Sequence, residues 1–466
     1  MASVAVPRGL GAGFEPRALL RACRGGLIGI PVGLCVFALF CLANWLSLDR
    51  DVSAARAQVA GAFSQGVLQE QDYRAGDTQI GWHQYNDCLI LWQAIDQRST
   101  ATELTVSPLL DPHREDSSRC GRLRAFVNGD PAAAAVTPTY YHRYLHGHTT
   151  VARYLLPVMS VEDIRLAYHL ALTALVVAGI GLALWGLARG AMVPGLFWLF
   201  VFLAFARWFG LESFGMSLGH GPSDILHLSF LVALAAAGVT RGIGARTAIA
   251  GAAVFGALVM VFEFLSGGLH LGLAAVIGGL PFALNPDARR ALAQTVAAAA
   301  FAFCAAAVTA YAAKALLALA IFGSATFVDT AMQLQMRAGL GGREGETVEL
   351  VTSAKKLLKG FQGLAAGMPA LAFAVTALAA AAGLWAARRI HRGGSAPLSG
   401  PAAFLLLSNL AIFALLALLW QHSIVHAWFM HRTFAWTIAT GLALFLLAVL
   451  DRQARPLAFS APPRDA

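Results

Sequence analysis

Apolar runs long enough to cross a membrane recur along almost the whole chain. A helix rises 1.5 Å per residue, so about 20 apolar residues span a hydrocarbon core roughly 30 Å thick. Charged residues make up only 13% of the 466 residues and hydrophobic residues 58%, which is too little charge for the surface of a water-soluble protein of this size. The alternating pattern of barrel strands is absent. The sequence therefore predicts an all-α polytopic membrane protein.

About ten transmembrane helices fit the hydropathy pattern. They are expected at roughly 26–48, 167–188, 192–208, 223–240, 247–265, 270–284, 291–322, 366–387, 402–420 and 433–450. The first run has no small-residue cleavage site before Asp49, so we expect it to remain as an anchor. With a cytoplasmic N-terminus, every short Arg-bearing loop falls on one side, as the positive-inside rule requires. We read the net charge of +9 as this orientation signal, not as a nucleic-acid footprint.

This topology divides the chain into seven segments. They are a cytoplasmic tail (1–25), the first transmembrane helix (26–48), a large, helical periplasmic loop (49–165), transmembrane helices 2–7 (166–322), a second periplasmic loop (323–365), transmembrane helices 8–10 (366–450) and a cytoplasmic tail (451–466). Within the second loop, 347–364 has the spacing of an amphipathic helix on the membrane or on the first loop. A solvated loop is the alternative.

Two of the six cysteines, Cys88 and Cys120, lie in the first periplasmic loop. The other four lie in or beside predicted spans, where small apolar packing is their expected role. An oxidising compartment favours a disulfide between the first two over a pair of free thiols.

A carboxylate in the same loop, Asp87, is the candidate general base. It lies in a segment with Trp82, His83 and Tyr85, directly before an apolar run. Capping of the helix that follows is the structural alternative, but it leaves the surrounding aromatic residues unexplained.

Polar residues that fall on the predicted periplasmic side are the candidates for substrate binding. They are His142, Arg143, Tyr144, His146, Glu212, Glu263, His422, His426 and Arg432. Ionisable groups at membrane depth are costly and usually line a cavity or a site. The i, i+4 spacing of His142 and His146 would put both on one face of a helix, although both could be ordinary interfacial residues. For Glu263 a structural ion pair is an equal alternative.

The pair His422 and His426 has the spacing of metal ligands, but no HExxH pattern accompanies it. Hydrogen bonding to carboxylates is the stronger interpretation, and we predict no metal site. Arg143 and Arg432 are better suited to phosphate, since a guanidinium matches phosphate oxygens. The motifs of ATPases, dinucleotide-binding enzymes, dithiol redox proteins and Ser hydrolases are absent.

An ordered series of motifs covers most of the chain. It is YNDCLIL, RYLHG, LESFGMS, FEFLSGG and HSIVHAWFMHR. The series resembles a group of bacterial multi-span membrane proteins of uncharacterised function, whose motifs read like YADSILL, RYWHG, FLDFLT and NHSxxHxxFxYR. The present chain departs from them with Leu145, Glu263 and Gln421, where the group has Trp, Asp and Asn. Leu145 removes a ring on which a sugar could stack.

The layout of that group is similar to the GT-C class of membrane glycosyltransferases. The resemblance implies a long, partly helical loop after the first span, a carboxylate base in it, and a polyprenyl-phosphate sugar donor. Asp87 would be the base, but GT-C enzymes usually carry this acid nearer the first span, so Asp49 and Asp51 are rivals. No cofactor is required, although this chemistry also admits a divalent cation.

These expectations combine into one functional hypothesis. The chain is expected to be a glycosyltransferase of the bacterial inner membrane, with membrane lipids around it and no nucleic-acid partner. It would transfer sugar to an envelope glycan or lipid acceptor at the periplasmic face. The alternative is a transporter or flippase for a lipid-linked or anionic solute. It would need no base and should carry matching polar residues on the cytoplasmic side, where few occur.

Overall fold

The fold is described from a computed structural model of the protein. It covers residues 16–72, 84–111, 118–135, 137, 139–262, 267–340, 355, 357–358, 360–361, 368–393 and 396–450. Over these residues the regular structure is helical, apart from one two-stranded antiparallel sheet in which Leu109 pairs with Tyr140 and Leu110 with Thr139.

The first part of the chain carries the first apolar span, a set of short helices and the sheet. In order, they are α1 (Pro16–Gly26), α2 (Gly29–Ser47), α3 (Val52–Ser64), α4 (Gln84–Ile95), α5 (Ala101–Val106), β1 (Leu109–Leu110), α6 (Arg119–Val127), α7 (Pro131–Ala135), β2 (Thr139–Tyr140) and α8 (Gly147–Leu155).

Longer, apolar helices dominate the remainder. They are α9 (Val161–Ala188), α10 (Met192–Trp208), α11 (Gly221–Val239), α12 (Ala245–Phe262), α13 (Gly268–Gly279), α14 (Pro286–Arg290), α15 (Leu292–Phe322), α16 (Ala325–Arg337), α17 (Pro369–Arg392), α18 (Ala396–Leu418), α19 (Trp420–Val425), α20 (Ala427–Met430) and α21 (Phe434–Leu450). Short 3₁₀ turns at Leu280–Phe282 and His431–Thr433 follow α13 and α20.

Eight helical segments in the described part of the chain are long and apolar enough to cross a membrane. The protein is therefore an all-α, multi-pass membrane protein. Two shorter apolar segments, Met192–Trp208 and Gly268–Phe282, coincide with the predicted third and sixth spans. The hydropathy pattern thus located each of these apolar helices to within about six residues at either end.

The spans have two chemically different ends. At one end, which we call the loop end, lie α3 to α8 and the two-stranded sheet, which follow Ser47 of α2 and precede Val161 of α9 in the chain. At the opposite end, short connections carry arginines such as Arg189, Arg241 and Arg290. The polar candidate residues that the structure describes lie towards the loop end.

Small residues let the first span pack tightly against α15. A methyl group added at Gly33 would lie 2.6 Å from the carbonyl oxygen of Ala306, and one at Gly29 would collide with the carbonyl oxygen of Ala302. Glycines four residues apart allow this close approach where lipid supplies no hydrophobic driving force.

The segment at the loop end has its own core. All residues of α4 except Tyr85 are buried. Trp92 of α4 stacks on Phe126 of α6 with ring centroids 4.6 Å apart. Cys88 and Cys120 form a disulfide between the same two helices, with their Cα atoms 5.2 Å apart. The packing of α4 therefore decides which of its polar side chains reach other elements.

Most of the predicted amphipathic helix 347–364 lies outside the described residues. Within it, the Phe361 ring is buried and lies 4.4 Å from that of His431, centroid to centroid. The described helix of this loop is α16, which starts soon after α15 ends.

Candidate functional site

Asp87 is buried in the first turn of α4 and bonded through both carboxylate oxygens. Oδ2 accepts hydrogen bonds from Nε and Nη2 of Arg165 at 3.0 and 2.5 Å. Oδ1 accepts one from the backbone N–H of Leu218 at 2.8 Å. Asp87 is 2% exposed, and α4 begins three residues earlier at Gln84, so it is not the N-cap. The carboxylate joins α4 to α9 and to the segment before α11, an arrangement that favours positioning over proton transfer.

The other two candidates for the base, Asp51 and Asp49, lie close to the ends of α3 and α2. Asp51 is the N-cap of α3, where Oδ1 accepts from the backbone N–H of Ala54 at 3.0 Å and from the Ser53 hydroxyl at 2.6 Å. These hydrogen bonds, that of Ser53 first, lower the pKa of Asp51. Asp49 is exposed just after α2.

The segment from Tyr141 to His146 is not helical, so the expectation that His142 and His146 share one face of a helix is wrong. The chain leaves β2 at Tyr140 and enters α8 only at Gly147. His146 makes this turn with a left-handed backbone (φ 65°), while its Nε2–H donates to the carbonyl of Tyr141 at 2.8 Å. Sheet pairing upstream, which the local spacing does not reveal, overrides the helical period here.

His142 nevertheless lies in a defined setting. Its Nδ1 shares a hydrogen bond with the hydroxyl of Ser107 at 2.9 Å, and its ring centroid lies 4.6 Å from that of Phe322. Burial, followed by the positive charge of Lys314, lowers the pKa of His142 to about 4, against the opposing effect of Asp329. The imidazole is therefore neutral at pH 7.

Lys314 is the residue that the sequence analysis missed. It lies on α15, is 2% exposed, and its Nζ has no hydrogen-bond partner among the described residues. Burial is the main cause of the lowered pKa values of His142 and His146, and the positive charge of Lys314 lowers both further. A signal was present, since an ionisable residue inside a long apolar helix marks a functional site by default.

Two contacts hold α16 against the segment that follows His142. Arg143 pairs with Asp329 through Nε and Nη2, both at 3.3 Å, and this ion pair is partly exposed. The guanidinium of Arg337 lies 5.6 Å from the ring centroid of Tyr144. We refer to His142, His146, Lys314, Asp329 and Arg337 as the Lys314 cluster.

The two histidines of the last loop-end motif are neighbours, as their spacing predicts. The ring centroids of His422 and His426 lie 4.5 Å apart. Burial, followed by the charge of Arg337, lowers the pKa of His426 to about 4. Arg337 therefore connects this motif to the one around Tyr144. In the parts of the chain that the structure describes, no group of three or more His, Cys, Asp or Glu residues is arranged to hold a metal ion.

Arg432, predicted to bind phosphate, is paired with a carboxylate. Its Nη1 and Nη2 donate to Asp224 at 2.8 and 2.7 Å, and both side chains are buried. The guanidinium also lies 4.4 and 5.0 Å from the ring centroids of Phe209 and Phe214. Two of its nitrogens thereby hold α11 against the start of α21, while its buried Nε has no hydrogen-bond partner among the described residues.

Of the two remaining predicted residues, only Glu212 lies in the described part of the chain, and it is not part of the cluster. Glu212 is exposed in the connection between α10 and α11. Glu263 lies outside the described residues. The structure thus brings together His142, Arg143, Tyr144 and His146 and places His422 beside His426, while Asp87 and Arg432 each bond elsewhere.

Comparison with known proteins yields no relative. No protein-family model matches the chain, nor does any curated protein or solved structure. The function has to be argued from the chemistry of the site.

Proposed function

We propose that the protein is an integral membrane glycosyltransferase, which transfers a sugar from a polyprenyl-phosphate-linked donor to an envelope glycan or lipid acceptor. The observation that carries the proposal is the buried Lys314, whose ammonium group has no described hydrogen-bond partner. An amine buried without a partner favours its neutral form, and an anionic ligand would stabilise the charged ammonium there.

The position of Lys314 suits a phosphate attached to a lipid. It precedes the end of α15 at Phe322 by eight residues, or about 12 Å at 1.5 Å per residue. A free anion from water would have to be drawn into the apolar part of the bundle. A lipid phosphate already lies beside the hydrocarbon while its polyprenyl chain stays in the membrane.

The surrounding groups meet the needs of sugar transfer. Lys314 and Arg337 would neutralise the phosphate as it leaves, and such electrostatic stabilisation of developing charge often contributes more to catalysis than any other effect. We assign the base to Asp329, because it is partly exposed and its contacts to Arg143 are longer than those of Asp87 to Arg165. Asp87 would position α4 in this scheme.

In keeping with the GT-C resemblance, we further propose that the two shorter apolar helices also cross the membrane, giving ten spans. The Arg-bearing connections would then be cytoplasmic, with both termini, and the loop end periplasmic in a bacterial inner membrane.

The distribution of ionisable groups favours an enzyme over a transporter. Among the described spans, the residues Asp224, His227, His270 and Lys314 all lie in the half nearer the loop end. The opposite half carries terminal basic residues, such as those near the end of α17. A transporter needs polar groups along a route across the membrane, but sugar transfer needs them at one face only.

Release of polyprenyl phosphate from a panel of polyprenyl-phosphate sugars, supplied to the protein in liposomes, tests the proposal. We expect release by the wild type and a fall of about 100-fold for Lys314→Met, the size typical for loss of one electrostatic stabiliser. Lys314→Arg should retain part of the activity. Arg388→Met, which removes an exposed cation at the opposite end, is the matched control and should behave as wild type. Absence of release from every donor, together with movement of labelled lipid across the bilayer, would establish the transporter instead.

A further inference from the structure

Helix α16 turns most of its polar side chains towards the protein and its apolar side chains away from it. The inward residues recur every three or four positions, which is one face of a helix; they are Thr326, Asp329, Thr330, Gln333 and Arg337. The outward face carries Phe327, Val328, Met332 and Leu334, which are 45, 58, 54 and 59% exposed, and one exposed amide, that of Gln335.

This orientation is the reverse of that of a helix on a water-soluble protein. Such a helix buries its apolar stripe and exposes its charges. The inward charges of α16 are engaged, Asp329 with Arg143 and Arg337 with the ring of Tyr144. An outward face that is apolar apart from one amide indicates a partner that is itself apolar.

The neighbouring surface identifies that partner as lipid. Helix α15, a membrane span, ends at Phe322, three residues before α16 begins. The outward face of α15 carries Val308 and Leu316, which are 64 and 62% exposed and must face acyl chains in a membrane. The apolar face of α16 continues this lipid-facing surface.

We infer that α16 lies among the acyl chains of the leaflet at the loop end, where it separates the lipid from the Lys314 cluster. With 13 residues it is about 20 Å long, too short to cross the bilayer, so it lies along the leaflet. Its length and its separate polar and apolar faces are those of an interfacial helix. The polar face of an interfacial helix contacts water, whereas that of α16 contacts the protein. This inference does not depend on the proposed sugar transfer.

Spin labels on α16 in liposomes test the inference. The four free cysteines, Cys23, Cys35, Cys41 and Cys304, are first replaced by Ser. A nitroxide is then attached at Val328→Cys or Leu334→Cys, and its collisions with oxygen and with a water-soluble nickel chelate are measured. Leu316→Cys on α15 is the control for lipid, and the exposed Gln65→Cys beyond α3 the control for water.

We expect the labels at 328 and 334 to match the label at 316, with frequent oxygen collisions and few nickel collisions. Nickel collisions as frequent as at 65 would overturn the inference by placing the face in water. Low collision rates with both reagents would also overturn it, because the face would then be covered by protein, either residues 341–367 of the same chain or a second copy. Unchanged thermal unfolding of each labelled protein confirms that the fold is retained.

Discussion

Arg165 and Asp87 form a buried ion pair between two elements that are 78 residues apart in sequence. A guanidinium and a carboxylate at this degree of burial stabilise a fold only as a pair, since either charge alone is left without water. The pair places α4, and with it the disulfide and the hairpin that leads to His142, on the membrane helix α9.

Asp87→Asn is expected to lower the free energy of unfolding by about 3–5 kcal/mol, because Arg165 is left buried and unneutralised. Arg165→Met should cost a similar amount. The double variant should cost less than the sum of the two, since it leaves no buried charge unpaired. Thermal unfolding in detergent micelles measures all three. A variant Asp87→Asn that unfolds like the wild type but has lost sugar transfer would return the base role to Asp87.

Asp329→Asn is expected to reduce kcat by about 100-fold or more, as loss of a general base does. Its effect on stability should be below about 1 kcal/mol, because the ion pair with Arg143 is partly exposed and screened. Steady-state release of polyprenyl phosphate and thermal unfolding are the two measurements. Asp130→Asn, on an exposed turn of the loop-end segment, is the matched control. Normal turnover by Asp329→Asn would exclude it as the base.

Stability should fall as the pH decreases below about 6.5, the ordinary pKa of histidine. Burial lowers the pKa of His148 to about 3, so between these values the unfolded chain takes up a proton that the folded chain does not. Stability therefore rises with pH through this window and is constant above it. The unfolding temperature of the wild type, measured from pH 7.5 to 4.5, should decrease on acidification.

His148→Asn serves as the comparison for that measurement. It removes one of the titrating groups, so its unfolding temperature should depend less steeply on pH. An identical slope in both proteins would show that His148 does not contribute.

Gly33→Ala is expected to destabilise the protein by about 1–3 kcal/mol, the usual cost of overpacking. The added methyl group would lie 2.6 Å from the carbonyl oxygen of Ala306, and two helix backbones would have to separate. Gly61→Ala is the matched control, since nothing lies within 4 Å of a methyl group there, and alanine favours the helix by about 0.5–1 kcal/mol. The unfolding temperature should fall for Gly33→Ala and not for Gly61→Ala. Equal behaviour of the two would mean that α2 and α15 do not pack closely.

The membrane helices could be predicted because their signal is local. An apolar run of sufficient length must be helical in the hydrocarbon core, whatever it packs against. The span expected at 291–322, for example, is observed as α15 at Leu292–Phe322. The neighbouring rings of His422 and His426 follow from helical spacing in the same way.

The partners of the polar residues could not be predicted by these means. Arg432 was expected to bind a phosphate. In the structure it pairs with Asp224, which is 208 residues away in the sequence. His142 and His146 were expected on a helix, but sheet pairing with β1 fixes the segment before them as extended. Lys314 was visible as a lone cation in an apolar helix, yet only packing places it beside the histidines.

The sequence by itself therefore determined the class of fold, the positions of the apolar helices and the end at which polar chemistry gathers, since hydrophobic length and charge distribution act without tertiary contacts. Tertiary structure alone decided which ionisable groups neutralise one another. It thereby left Lys314 buried, with no described hydrogen-bond partner, and paired Asp87 and Arg432. The physical reason is that ion pairing depends on distance in space, and helix packing brings together charges that are far apart along the chain.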